Sequence, residues 1–157
     1  MIRGTSPTAM NKRGTKVHLD GYVFDSQKEA DFYERFIKHG GYQFKVHPKF
    51  NLITKRNIGR VNIGEISYKP DIVVYNKCGK MMHVYDVKNS FGAYGIDQSV
   101  KLRFRMFAMK FKIPVEAVVV RKHDFKVIAQ GVTKPLVDKE PFITSTVKYD
   151  WIKATRI

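Results

Sequence analysis

The chain has 157 residues, of which 43% are hydrophobic, and this size and composition predict one folded domain with a buried core. Its 29 lysines and arginines against 14 aspartates and glutamates give a formal net charge of +15, which predicts an anionic polymer, DNA or RNA, as the partner. The single cysteine, Cys78, excludes an internal disulfide and cysteine-rich zinc modules, and the absence of a long apolar run or a signal peptide favours a cytoplasmic protein without membrane contact.

The beginning of the chain combines cations with Gly, Ser, Thr and Pro and has no hydrophobic period. We therefore expect a flexible basic arm over residues 1–16 and a single domain over residues 17–157. Arg13 in the arm is a candidate contact to a phosphate backbone, although a solvated tail has the same composition. An Asp-Gly pair between two short alternating runs then predicts a hairpin over residues 17–24.

The first predicted helix spans about residues 27–38. Counted at about 100° per residue, Glu29 falls in the middle of the apolar face, whereas Glu34 falls on the solvated face. A carboxylate directed at a core is unfavourable unless a cation meets it, so Glu29 is predicted to bind a metal ion. The alternative is a capping box, in which Glu29 folds back onto the backbone of Ser26 at the helix start.

The next part of the chain alternates in hydrophobicity between positions 44 and 52, which predicts an extended segment interrupted at Pro48. A basic, Gly-containing loop over residues 54–60 follows, and it is placed to contact a phosphate backbone. The candidate DNA-contacting residues of this loop are Lys55, Arg56 and Arg60. A charged, solvated loop would have the same sequence. Glu65, a few residues further on, is a reserve candidate for an acidic site.

Two runs rich in β-branched and aromatic residues, at positions 68–75 and 81–88, predict a β-hairpin around a Gly-containing turn. Alternation puts Asp86 and Lys88 on the same face of one strand, and Asp71 stands at the start of the other. Two carboxylates and an ammonium would then converge, and this chemistry suits Mg2+-dependent phosphodiester hydrolysis. The alternative is an ordinary ion pair between Asp86 and Lys88 on a solvated strand.

The remaining pattern predicts a second helix over about residues 96–112 and a buried strand over residues 113–120, after which the chain returns through residues 125–129. A basic stripe borders the apolar stripe of this helix, and Lys101 and Arg105 are candidate contacts to a phosphate. The order of strands and helices predicts an α/β fold with a mixed central β-sheet flanked by helices. The five histidines lack the spacing of metal ligands, so we interpret them as surface or packing residues.

Three motifs together resemble a known superfamily. They are Phe24-Asp-Ser-Gln-Lys-Glu29-Ala at a helix start, Tyr68-Lys-Pro-Asp71 at a strand start and Asp86-Val-Lys88 at the end of the next strand. This set resembles the PD-(D/E)XK nuclease superfamily, in particular small phage-encoded endonucleases similar to Holliday-junction resolvases (RecU-like). The resemblance covers residues 20–120 and implies a restriction-endonuclease-like core. It implies that Glu29, Asp71 and Asp86 bind Mg2+ or Mn2+ and that Lys88 positions the attacking water, with Asp86 standing where many members carry Glu.

The resemblance further implies a metal-dependent, structure-selective endodeoxyribonuclease of the crossover-junction type. Its expected substrate is a Holliday junction or other branched DNA, cut in the host cytoplasm if the protein is phage-encoded. Two symmetric nicks require two active sites at a fixed separation, so a homodimer is expected. The alternatives are a nonspecific or sequence-specific nicking endonuclease of the same superfamily and a catalytically inactive, basic DNA-binding protein.

Overall fold

The centre of the protein is a mixed β-sheet with helices packed against its two faces. The computed structural model describes residues 15–92, 95–132 and 141–155, and within these ranges the sheet has six strands. In chain order the strands are β1 (Val17–Leu19), β2 (Tyr22–Phe24), β3 (Gln43–Val46), β4 (Phe50–Ile53), β5 (Arg56–Ile58), β6 (Val61–Ile63), β7 (Ile66–Tyr68), β8 (Ile72–Tyr75), β9 (Met81–Val87), β10 (Val115–Val120), β11 (Phe125–Ala129) and β12 (Phe142–Thr144). The helical segments are α1 (Gln27–Phe32) with a π-helical continuation over Tyr33–Ile37, α2 (Gln98–Phe111) and a 3-10 helix at Trp151–Thr155. None of the helices in these ranges is long and apolar enough to cross a membrane.

The strands of the central sheet lie in the order β12, β11, β10, β9, β8 and β3. β9 and β10 are parallel, and the other neighbouring pairs are antiparallel. Parallel strands need a crossover connection, and α2 provides it between β9 and β10. The predicted α/β fold with a mixed central sheet flanked by helices is therefore confirmed.

The two faces of the sheet bury two separate cores. Ile72 and Val74 of β8 pack into the core on the α1 side, whereas Val73 between them packs into the core on the α2 side. Phe32 of α1 lies at the centre of the first core, and Phe104 of α2 lies in the second. Both phenylalanines are fully buried. Side chains that alternate along β8 and β9 are thereby directed to opposite sides of the protein.

The first helix begins where the sequence predicts it. Ser26 is the N-cap, and its Oγ accepts a hydrogen bond from the backbone N–H of Glu29 at 3.2 Å. The π-helical segment extends the helical structure to Ile37, close to the predicted end at position 38. Residues of the predicted apolar face are buried, and Glu34 is exposed. The predicted orientation of this helix is thus confirmed.

The predicted strand over residues 68–75 is interrupted. Its first residue belongs to β7, which pairs with β4, whereas the rest forms β8, which pairs with β9. Pro70 lies between the two strands. It interrupts the predicted strand because a proline has no N–H to donate to a strand ladder. Strict alternation along β9 predicts that Met81 shares a face with Tyr85. The register between β8 and β9 shifts near the turn, and Met81 instead packs into the core on the α2 side.

Two small hairpins flank the sheet. The predicted hairpin of β1 and β2 is confirmed, and Asp20 and Gly21 form its turn with φ of +52° and +83°. The predicted loop over residues 54–60 is wrong, because much of it belongs to a second hairpin of β5 and β6 that turns at Gly59. All strand residues of the β5–β6 hairpin are exposed. Three-residue strands without a buried face have no hydrophobic pattern that distinguishes them from a loop.

Candidate active site

Asp71 and Asp86 lie next to each other at one edge of the central sheet, where β8 begins and β9 ends. The backbone N–H of Asp71 donates to the carbonyl oxygen of Tyr85 at 3.0 Å. Asp71 Oδ2 accepts from the backbone N–H of Val87 at 2.6 Å. Tyr85 and Val87 are the two neighbours of Asp86 along β9. The strand pairing therefore fixes the carboxylate of Asp71 beside that of Asp86.

Lys88 and Tyr68 contact the two oxygens of Asp86. Lys88 Nζ lies 2.7 Å from Oδ1, and the hydroxyl of Tyr68 donates to Oδ2 at 2.7 Å. The ammonium of Lys88 also lies 5.9 Å from the ring centroid of Phe104 on α2. The side chains of Lys88 and Asp86 are only 20% and 9% exposed. They share one face as predicted, and they do not form the ordinary solvated ion pair that was the alternative.

Glu29 reaches the same edge from α1. Its Oε2 lies 3.1 Å from His47 Nε2, which in turn lies 3.9 Å from Asp71 Oδ1. The same Oε2 accepts from the backbone N–H of Asp25 at 3.2 Å. Glu29 thus folds back onto the helix start, one residue before the predicted Ser26, and at the same time lies near Asp71. The capping role and the position beside the aspartates are compatible.

At this edge the carboxylates of Glu29, Asp71 and Asp86 lie close together and are largely shielded from water. Burial raises the pKa of Asp71 well above its usual range, and the charges of Asp86 and Glu29 raise it further. Burial alone lowers the pKa of Lys88, but the combined attraction of Asp86, Asp71 and Asp97 outweighs it, so the net pKa is raised. Burial and the neighbouring Asp86 likewise raise the pKa of Tyr68 far above its usual value. With pKa values above the usual range, Lys88 and Tyr68 carry their protons at neutral pH when no metal ion is bound.

The residues Glu29, Asp71 and Asp86 could hold a divalent cation. Carboxylate oxygens are the ligands that Mg2+ and Mn2+ prefer. Asp71 is unfavourable as an anion where it stands, yet its side chain remains 14% exposed, so an ion could reach it and relieve the repulsion. The donor set fits the ion that the sequence predicts.

The predicted DNA-contacting residues lie on separate elements, the β5–β6 hairpin and α2. Lys101 is half-buried on α2, one turn before Phe104, the ring that faces Lys88. Arg105 is exposed and lies against Gly131, where an added Cβ would be 3.1 Å from Arg105 Cγ. The exposed cations at the β5–β6 hairpin are Lys55, Arg56 and Arg60. The structure brings none of these four exposed cations into contact with the carboxylates in the described ranges.

Two further predictions concern residues outside the site. Glu65 accepts hydrogen bonds from Lys49 at 2.9 Å and from Asn51 at 2.8 Å on an exposed surface. This reserve candidate is therefore not placed with the acids: it lies beside the separate β4–β7 pair, where its carboxylate contacts Lys49 and Asn51. Arg13 and most of the predicted basic arm lie outside the described residues.

Sequence reasoning missed His47 and Tyr68. His47 was interpreted as a surface or packing residue, but its ring lies between Glu29 and Asp71, and its backbone N–H donates to the carbonyl of Asp71 at 2.9 Å. The available signal was the His-Pro pair at the strand break, where His47 adopts a φ of +51°. Tyr68 was recognised only as a strand residue, and its hydrogen bond to the next strand is a tertiary contact without a sequence signal.

The fold and the site define an α/β protein with an acidic cluster and a lysine at one edge of its central sheet. The chain belongs to the family described as "Protein of unknown function (DUF1064)", whose pattern matches residues 10–127. That match contains all the residues that build the acidic edge. No curated protein matches the chain, and no solved structure matches it.

Proposed function

We propose that the protein is a metal-dependent, structure-selective endodeoxyribonuclease that hydrolyses phosphodiester bonds in branched DNA, with four-way junctions as the preferred substrate. The observation that carries this proposal is the convergence of three carboxylates and one ammonium from three different elements. Glu29 comes from α1, Asp71 from the start of β8, and Asp86 and Lys88 from the end of β9. These are also the residues that carry the resemblance to PD-(D/E)XK nucleases.

Each residue has a defined part in this proposal. Glu29, Asp71 and Asp86 would hold Mg2+ or Mn2+, which when bound supplies positive charge to the oxygens of the scissile phosphate. Lys88 is an ammonium held 2.7 Å from Asp86, and it donates a hydrogen bond that orients the attacking water or a phosphoryl oxygen. The Tyr68 hydroxyl holds Asp86 in place from the other side. The reaction adds the water oxygen to phosphorus, breaks the bond to the leaving sugar oxygen, and transfers a proton to that oxygen.

The charge distribution supports DNA as the substrate. The formal net charge of +15 coexists with an acidic reaction edge, so most of the cations lie elsewhere and favour binding to a phosphate backbone. Lys55, Arg56 and Arg60 on the exposed β5–β6 hairpin and Lys101 on α2 are the proposed contacts. Phosphate contacts read shape more than sequence, which favours a branched substrate. A homodimer would supply two such edges for paired nicks.

The test is a cleavage assay on a four-way junction, a fork and a linear duplex of the same sequence, each with Mg2+ and with a chelator. We expect Mg2+-dependent nicks in the junction at a rate at least about tenfold above that for the duplex. Glu29→Gln is expected to lower cleavage by about a hundredfold or more, because it removes one charge from the acidic edge. Glu34→Gln on the exposed side of the same helical segment is the matched control and should cleave like the wild type.

The outcomes separate the alternatives. Equal cutting of all three substrates would replace junction selectivity with a nonspecific nicking activity. DNA binding without cleavage under any divalent ion would overturn the enzymatic proposal in favour of a basic DNA-binding protein. Equal activity of the Glu29→Gln and Glu34→Gln proteins would remove the helix-borne carboxylate from the site.

A further inference from the structure

Beside the two aspartates lies a second group of potential metal ligands. Asp25, Glu29 and His47 each offer one ligand atom, and these atoms lie within 4.8 Å of one another. Two ligands that bind one ion at about 2.1 Å can be at most about 4.2 Å apart, so small side-chain shifts bring all three into reach. We propose that Asp25, Glu29 and His47 bind a first-row transition metal ion, such as Mn2+ or Zn2+, at a position distinct from the cation of Asp71 and Asp86.

The position of His47 is fixed by its backbone and its neighbours. Its N–H donates to the Asp71 carbonyl at 2.9 Å, its φ is +51°, and its ring lies 6.3 Å from the ring of Phe24. Its Nε2 lies 3.1 Å from Glu29 Oε2. Ligands that meet at right angles on an ion at about 2.1 Å are about 3 Å apart. The nitrogen and the oxygen therefore already have the separation of two adjacent ligands.

A cation already occupies the outer side of this group. The ammonium of Lys16 forms a salt bridge with Asp25, and this hydrogen bond keeps the pKa of Asp25 below its usual value. The carboxylate of Asp25 thus already binds one cation. Its side chain is 58% exposed, whereas that of Glu29 is 9% exposed. The group thus opens to solvent on the Asp25 side, and an ion can enter by displacing Lys16.

The mixture of donor atoms decides the kind of ion. Mg2+ strongly prefers oxygen ligands, whereas an imidazole nitrogen favours transition metals. The oxygens of Asp71 and Asp86 suit Mg2+ or Mn2+, whereas the group that contains His47 suits Zn2+ and also accepts Mn2+ through a mixture of oxygen and nitrogen ligands. Glu29 has two carboxylate oxygens and can serve both positions. This inference depends only on the ligand atoms and does not require the proposed nuclease activity.

The test uses Mn2+ as the probe and electron paramagnetic resonance as the readout. Protein labelled with 15N-histidine is titrated with Mn2+ and examined for a nitrogen coupled directly to the ion. We expect this coupling in the wild type and its loss in His47→Asn, a substitution chosen because asparagine tolerates a positive φ. His39→Asn, which alters an exposed histidine, is the matched control and should keep the coupling. Asp25→Asn should weaken Mn2+ binding by at least about tenfold.

The results distinguish this site from the aspartate pair. Coupling that persists in an Asp86→Asn protein, and in a large excess of Mg2+, supports a separate position for the transition metal. A wild-type spectrum without coupled histidine nitrogen at saturating Mn2+ overturns the proposal, as does coupling that survives His47→Asn. A protein that binds Mn2+ through nitrogen but never cuts DNA would contradict the proposed function and leave this metal site standing.

Discussion

Two clusters of polar side chains, each with at least one buried carboxylate, lie on the same central sheet, and they differ in how their charges are matched. On the α1 side, His83 and Glu116 are fully buried in a closed cluster with Tyr149. At the edge formed by β8 and β9, Asp71 and Asp86 lie in an open cluster that remains partly exposed. Burial of polar groups is common to both, so burial alone does not distinguish a structural cluster from a reactive one.

The closed cluster pairs each of its carboxylate oxygens. His83 Nε2 donates to the carbonyl of Val147 at 2.8 Å, and His83 Nδ1 lies 2.6 Å from Glu116 Oε2. The hydroxyl of Tyr149 donates to Glu116 Oε1 at 2.6 Å and lies 2.9 Å from the hydroxyl of Tyr85. These contacts connect β9 and β10 to the segment after β12. The cluster is a complete hydrogen-bond network that fixes this segment to the sheet.

The open cluster has more acids than cations among the described residues around it. Glu29, Asp71 and Asp86 share the ammonium of Lys88 and the ring of His47. The repulsion contributes to the raised pKa of Asp71, and the partial exposure allows an ion or a substrate to enter. An excess of like charge in a place that solvent still reaches is a better indicator of function than burial. The predictions below test this difference.

The largest effect is expected in the closed cluster. His83→Ala would leave Glu116 Oε2 and the Val147 carbonyl buried without their hydrogen-bond partner, so we expect the free energy of unfolding to fall by about 3–5 kcal/mol. Urea denaturation followed by circular dichroism measures this change. His39→Ala, at an exposed position, should stay within about 0.5 kcal/mol of the wild type. A loss below about 1 kcal/mol for His83→Ala would contradict the structural importance of the closed cluster.

In the open cluster, removal of a charged group should raise the free energy of unfolding instead of lowering it. Asp71→Asn keeps the shape of the side chain and an acceptor for the Val87 N–H, but it removes one of the repelling charges. We expect the metal-free protein to gain on the order of 1 kcal/mol of unfolding free energy, while cleavage of a four-way junction falls by about a thousandfold. Thermal denaturation in a chelator and the cleavage assay measure the two effects. Asp31→Asn is the control, because Asp31 is a half-buried residue of α1. It should change neither the unfolding free energy nor the rate of cleavage. Destabilisation by Asp71→Asn would mean that the aspartates are matched by cations after all.

The sequence predicted the elements and their faces better than the contacts between them. The position of Glu29 on the apolar face and the shared face of Asp86 and Lys88 follow from helix and strand periodicity, which are local properties. His47 and Tyr68 could not be assigned in this way, because their partners lie on other elements and are brought near only by the sheet order. The β5–β6 hairpin was missed because its strands are short and exposed, so no buried face distinguishes them from a loop.

The smallest effect concerns the position of one carboxylate. Tyr68→Phe removes the hydroxyl that donates to Asp86 Oδ2 at 2.7 Å while it keeps the ring that packs near Phe104 and Phe107. We expect a loss of about 1 kcal/mol in unfolding free energy and about a tenfold fall in kcat with little change in KM, since the hydroxyl orients Asp86 and does not bind DNA.

Tyr75→Phe is the matched control, because Tyr75 lies at the opposite end of β8 from Asp71. It should leave both kinetic constants unchanged. If Tyr68→Phe changes stability but not kcat, the hydroxyl only supports the fold, and Lys88 alone suffices to orient Asp86. If kcat falls as expected, the open cluster depends on a buried donor in the same way as the closed one, and the two differ only in their surplus of charge.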